Sequence, residues 1–435
     1  MKKSTPQRSP KKTTRTASAR LKGANPGLAL LGGKPVRTAP FPAWPIFGKS
    51  EEKSLLRTLH GGKWGRLDGA EVSRFEERFA AAHDCKHAIG VVNGTVSLRI
   101  GLLAAGLQAG DEVIVPSYTF FSTASAVIEA NLVPVFADID FDTFNLDPRA
   151  VEAAITPRTR ALIPVHFAGQ AADMQALMAI AKKHKLFVIE DAAHAHGGSY
   201  QGRAVGSLGH MASFSFQSSK NLTSGEGGLI TTNDDKVGAL CRSIHNCGRL
   251  PGGAWYEHNF ISGNHRLGEF QGALLNCQLD RLEKQTKKRD ANGKYLANRL
   301  SQLPGLRPQK RSADITRHSY HLFMMRLDPA EFGASRDAVV AALKAEGIPC
   351  SAGYGYSLPQ QPMFRNKAFG PYLPGIVDTL DFSKVQCPNS DRICQEQGIW
   401  LEHRMFLGSR ADLNAIADAF EKIHSHRDAL KQWKR

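Results

Sequence analysis

Lys220 lies in a run of aromatic, hydroxyl and amide side chains, Phe214-Ser215-Phe216-Gln217-Ser218-Ser219-Lys220-Asn221, followed by Gly225-Glu226-Gly227-Gly228. Upstream, Asp191 closes an apolar run, Val188-Ile189-Glu190-Asp191. Most lysines are solvated surface charges. This one follows the strand-like alternation from Ala212 to Phe216 and precedes glycines, a setting suited to a loop at the C-terminal end of a strand, where open α/β sheets hold their ligands. Hydrophobic surroundings disfavour the ammonium form and lower a lysine's pKa. The neutral amine is the form that Schiff-base chemistry needs.

Three further segments extend that chemistry. A carboxylate at Asp191 can pair with the nitrogen of a heterocycle and make the ring an electron sink; helix capping is the ordinary alternative for an Asp so placed. Asn93-Gly94-Thr95-Val96-Ser97 falls between a strand pattern and a helix pattern, where free backbone N–H groups and hydroxyls can hold a phosphate. Phe120, in Pro116-Ser117-Tyr118-Thr119-Phe120-Phe121, offers a ring to stack on a heterocycle, with a core phenylalanine as the alternative. Together these are the requirements of a phosphorylated pyridine aldehyde.

The elements that must position these residues are visible as an alternation. Apolar runs at 88–92, 112–116, 133–137, 161–165 and 186–189 are separated by helix-like periodicities at 96–107, 122–130 and 174–184. Near-continuous apolar strands alternating with helices predict an α/β fold with a parallel sheet covered on both faces. A long amphipathic helix is expected from Leu267 to about Leu303. One strand at 321–325 and helices at 335–346 and 411–424 then suggest a smaller α+β domain. The expected division is a basic tail over 1–24, a large cofactor-binding domain over 25–303 and a small domain over 304–435.

The chain has 435 residues and a formal net charge of +16. Its first fifty residues hold eleven Lys and Arg and no acid, so a tail rather than the whole surface makes the protein basic. The segment 1–24 has no apolar stretch of a secretory signal. It is expected to be disordered, with a nucleic-acid arm or a transit segment as alternatives. No run approaches a membrane span. Seven cysteines without a Cys-x-x-Cys pair imply neither a metal site nor a disulfide framework, and a reducing cytoplasm is the simplest location.

Several of these segments, in this order, resemble the DegT/DnrJ/EryC1/StrS family of sugar aminotransferases, fold-type I enzymes dependent on pyridoxal 5′-phosphate. They are Asn93-Gly94-Thr95, the run from Gly110 to Pro116, Glu190-Asp191-Ala192-Ala193, Phe214-Ser215-Phe216 with Lys220-Asn221, the run from Gly225 to Gly228, and Asn264-His265-Arg266-Leu267. The resemblance implies that Lys220 forms the internal aldimine and shuttles the proton, that Asp191 binds the pyridine nitrogen, and that Phe120 stacks on the ring. It implies that Gly94, Thr95 and Ser215 hold the phosphate and that Asn264 reaches the phosphate of a neighbouring subunit in a homodimer with shared sites; loop capping is the alternative for Asn264. Many members carry glutamine where this chain has His194, which can still donate to the ring oxygen and whose titration would shift the activity near neutral pH.

The opening from Leu28 to Arg37, Pro42-Ala43-Trp44-Pro45, and the run from Lys63 to Gly69 resemble the branch that includes scyllo-inosose aminotransferases and aminohydroxybenzoate synthases. That implies a keto-cyclitol or keto-sugar acceptor, with glutamine or glutamate as donor. Trp64, Arg66, Tyr354 and Tyr356 are candidates to line the substrate pocket, with surface packing as the alternative for each. A sugar dehydratase would replace the lysine by histidine or add an iron–sulfur cluster. A cofactor-binding regulator gripping nucleic acid would need a recognition element, and the sequence holds none that is recognisable.

Overall fold

The computed structural model describes residues 27–431 and Trp433; the basic tail expected over 1–24 lies outside the described residues. Seven strands form the central sheet, in the spatial order His87–Val91, Gly228–Thr232, Met211–Ser215, Phe187–Asp191, Thr159–Leu162, Glu112–Pro116, Val133–Ala137. The last five are parallel to one another. Gly228–Thr232 is antiparallel to both strands beside it, so the sheet is mostly parallel rather than wholly so.

The apolar runs are strands because both faces are covered. Val113 and Val115 enter one core with Leu98, Val127 and Ile189, while Ile114 enters the other with Phe75, Leu177 and Val188. Alternate residues of one strand thus serve opposite layers, which removes the polar alternation of a half-exposed strand. The covering helices start and stop where local chemistry dictates. Met174–His184 begins at Asp173, whose carboxylate accepts from the Ala176 amide at 3.1 Å. It ends with Lys182, Lys183 and His184 in the last turn, where cations favour the negative end of the helix dipole.

The C-terminal part holds more strand than the periodicity indicates. Leu306–Pro308, Leu322–Leu327 and Gly398–Glu402 make a three-stranded antiparallel sheet, packed with helices Arg336–Ala345 and Arg410–Ser425. Leu28 and Phe41, expected in the large domain, pack instead into this C-terminal core beside Leu306, Phe323 and Phe420. Their segment is tied there because the buried Glu346 carboxylate accepts from the amides of Ala29 and Val36, each at 2.9 Å. The 32-residue helix Glu269–Leu300 bridges the parts: Leu275 and Leu282 face the sheet core, and Leu296 and Leu300 face the C-terminal one. Among the described residues, no helix is long and apolar enough to cross a membrane.

Candidate active site

The C-terminal ends of the parallel strands and the start of helix Gly94–Ala104 open on one cavity of about 890 Å³. Gly94, Thr95, Phe120, Asp191, His194, Ser215, Lys220 and Tyr354 all line it. Glu190, one residue before Asp191, explains why the strand end is rigid. Its buried carboxylate accepts from the amides of Gly206, Leu208 and Gly209 at 2.7 to 2.9 Å and meets His166 Nε2 at 2.9 Å. The next carboxylate is thereby left to face the cavity.

Asp191 is buried, with Thr123 Oγ1 donating to it at 2.9 Å and the Ala193 amide at 3.3 Å. Burial nevertheless pushes its pKa up, against those bonds and the charge of Lys220. A carboxylate that is under-compensated and turned to a cavity favours a cationic partner there. The Lys220 side chain keeps some surface toward the cavity, yet the protein around its amine desolvates it and lowers its pKa to about 8, with Asp191 pulling the other way. In the cofactor-free protein, acylation of Lys220 followed by peptide mapping is expected to rise through a pH of about 8, whereas solvated lysines become reactive near ~10.4. A Lys220 profile that overlays the surface lysines would refute this.

Free amides and hydroxyls gather at the start of helix Gly94–Ala104. Asn93 caps the helix, accepting from the Val96 amide at 2.9 Å, and the amides of Gly94 and Thr95 have no partner within the helix. The approach is close enough to require glycine: a β-carbon on Gly94 would stand 2.8 Å from Ser215 Cβ, and one on Gly228 would stand 2.4 Å from the Asn93 carbonyl. Thr95 Oγ1 donates to Ser122 Oγ at 2.9 Å, so two hydroxyls meet beside those amides. Phe120 is 52% exposed, with its ring against Phe121 rather than in a core.

His194 departs from its sequence expectation. Burial, helped by the charge of Lys220, holds its pKa well below the ordinary histidine value, so it stays neutral at physiological pH instead of titrating there. Its ring lies 4.2 Å from that of His321, and its Nδ1 has no hydrogen-bond partner.

The structure does not bring every candidate to this cavity. Trp64 donates its indole N–H to the Leu59 carbonyl, and Arg66 pairs with Glu76 at 2.9 Å; neither lines the cavity, nor does the exposed Tyr356. Asn264 is exposed and outside it, accepting from the Arg266 amide at 3.3 Å. Other residues line the cavity without having been singled out: Trp44, Thr123, Glu226, His321, Trp400, Glu402, His403 and Arg404. Thr123 was within reach of sequence reasoning, as a hydroxyl early in the helix after Phe120. Trp44 lies in a segment marked only by its family resemblance, and the group at 400–404 comes from a segment far away in sequence that no local pattern marks.

The chain matches the DegT/DnrJ/EryC1/StrS aminotransferase family over residues 46–420. It is 39% identical over 385 residues to 3-amino-5-hydroxybenzoate synthase of Amycolatopsis mediterranei, covering 88% of this chain and 97% of that protein. It is 38% identical over 424 residues to L-glutamine:2-deoxy-scyllo-inosose aminotransferase of Streptomyces kanamyceticus, covering 93% and 98%. The crystal structure of 3-amino-5-hydroxybenzoic acid synthase superposes with a TM-score of 0.81 at 36% identity, over 91% of this chain and 100% of that one. With a cavity built where family motifs converge, the chain belongs to the DegT/DnrJ/EryC1/StrS family of pyridoxal phosphate-dependent aminotransferases.

Proposed function

We propose that this enzyme binds pyridoxal 5′-phosphate through Lys220 and moves an amino group from glutamine or glutamate to a keto-cyclitol or keto-sugar. One observation carries the reading: a desolvated amine, Lys220, and an under-compensated buried carboxylate, Asp191, line the same cavity. When bound, the cofactor supplies an electron sink and carries the amino group between donor and acceptor. The amides of Gly94 and Thr95, with the hydroxyls of Thr95 and Ser215, hold its phosphate. Asp191 pairs with the ring nitrogen, and Phe120 covers a ring face. Lys220 Nζ takes the proton from the donor α-carbon and, in the second half of the cycle, returns one to the former ketone carbon. His194, neutral, orients the ring oxygen by hydrogen bonding.

The lining favours a polyhydroxylated acceptor without a diphosphate. Besides Lys220, the only Lys or Arg lining the cavity among the described residues is Arg404. Its Nε is held on Glu402 at 2.5 Å and its Nη1 on the Pro42 carbonyl at 3.2 Å. Diphosphates are recognised by clustered free cations, whereas Gln217, Glu226, Tyr354 and Glu402 offer what hydroxyl groups need. Large exposed side chains, Phe121 near the cavity and Trp255, Tyr256 and Ile261 before Asn264, support a dimer in which Asn264 approaches the second copy's site.

The purified enzyme, loaded with the cofactor, is expected to aminate keto-cyclitols with glutamine and to sediment at twice the mass of the chain. If only nucleotide-linked keto-sugars turned over, the acceptor assignment would fail. The assignment of Lys220 would stand.

A further inference from the structure

Arg289 is wholly buried in the helix Glu269–Leu300, and among the described residues no carboxylate forms an ion pair with it. Its Nε and Nη1 lack hydrogen-bond partners. Burying a guanidinium without a counter-charge is destabilising, so packing alone does not account for it. Its Nη2 meets His403 Nδ1 at 3.2 Å, and its guanidinium carbon stands 5.3 Å from the centre of the Trp44 ring. Trp44 and His403 are themselves in edge contact, with ring centres 4.6 Å apart and planes at 87°.

Both aromatic residues reach the backbone just before Lys220. The Trp44 indole N–H donates to the Ser218 carbonyl at 3.1 Å. His403 lines the cavity beside Ser218 and Ser219, and the nearby Ser219 backbone favours a proton on its ring. A guanidinium has no acceptor, so His403 Nδ1 must accept from Arg289, and the proton of the neutral ring then sits on Nε2. Burial, reinforced by the Arg289 charge, keeps that ring neutral. Residues 44, 289 and 403, remote in sequence, thus form one contact chain that ends on the Ser218 carbonyl. The turn is closed from its other side by the Lys220 amide donating to the Gln217 carbonyl at 2.9 Å.

We infer that Arg289 and His403 are positioning residues for the Lys220 amine: Arg289 sets the tautomer of His403, and His403, packed on Trp44, holds the Ser218–Ser219 backbone so that Lys220 points into the cavity. The inference rests on Lys220 being the reactive amine. Neither residue acts on substrate in this role. Arg289 works through His403, and His403 through the loop.

The test separates the hydrogen bonds from bulk. His403→Gln can present an oxygen to Arg289 and an N–H to Ser219, whereas His403→Leu can do neither. In the cofactor-free protein, acylation of Lys220 read by mass mapping against pH should show the midpoint of His403→Leu displaced upward by about one unit, as a loosened loop lets water reach the amine. With cofactor and substrates, kcat for the same variant should fall on the order of 10²-fold, the size of effect that small misplacements produce, with the donor KM little changed. His403→Gln should recover most of both losses, and Arg289→Met should reproduce His403→Leu if it folds. An unmoved Lys220 midpoint and unchanged kcat in His403→Leu would overturn the inference. So would a His403→Gln variant as impaired as His403→Leu, since the effect would then be steric. Should the wild type transfer no amine, the acylation profiles still decide the clamp, and the failure belongs to the proposed reaction instead.

Discussion

Replacing Lys220 with alanine is expected to abolish amine transfer, lowering kcat/KM by on the order of 10⁴-fold or more, because in the proposed reaction one side chain is both the covalent anchor and the proton carrier. Lys220→Arg should be nearly as inactive. An arginine keeps a positive charge that a lysine with a pKa of about 8 partly gives up, and a guanidinium does not deprotonate in this range. Borohydride reduction of the cofactor-loaded wild type, followed by peptide mapping, should place the label on Lys220 and nowhere else. A labelled peptide elsewhere, or an alanine variant with wild-type turnover, would remove Lys220 from the centre of the chemistry.

Asp191→Asn should cost about 10² to 10³-fold in kcat, the usual effect of losing one preorganised electrostatic partner in a dry site. Its effect on folding should have the opposite sign. Burial raises the folded-state pKa of Asp191 above its unfolded value, so the native state holds this proton more tightly. Its contribution to stability is therefore present at low pH and is lost as pH rises through the folded pKa. Above the folded-state pKa the ionised carboxylate is a burden on the cofactor-free fold, and an asparagine, which keeps an oxygen for Thr123 and Ala193, should melt no lower than the wild type there. A thermal melt and a turnover assay on the same preparation check both halves. A variant that loses stability and activity together would make Asp191 structural.

Much of this arrangement was legible before any coordinates, for an identifiable reason. The strands at 112–116 and 133–137 and the helix at 174–184 are local patterns, set by burial on both faces and by a capping Asp173 with a basic last turn. Gly94, Thr95, Phe120, Asp191, Ser215 and Lys220 fall at strand ends, at a helix start or in the loops that follow strands, so the strand pattern brings them to one side of the sheet. What could not be read depends on distant partners. The antiparallel insertion of Gly228–Thr232 leaves no trace in its own sequence, because Gly-Leu-Ile-Thr-Thr pairs equally well in either sense. The neutrality of His194 follows from burial that a single letter does not reveal. Which of pocket lining or surface packing Arg66 serves depends on its distant partner Glu76.

The strand Gly228–Thr232 also bears on how the protein matures. It joins residues 87–91 to residues 211–215 and backs the Asn93–Gly94 turn so closely that only a glycine fits. Its pairing with residues 87–91 joins segments far apart along the chain and is slow to form. Until it does, Lys220 lacks the full surroundings that lower its pKa, and the Asn93–Gly94 turn has nothing behind it. The amine on which the proposed reaction depends is therefore finished only with the closing of the sheet, and a chain that has not closed it lacks that chemistry.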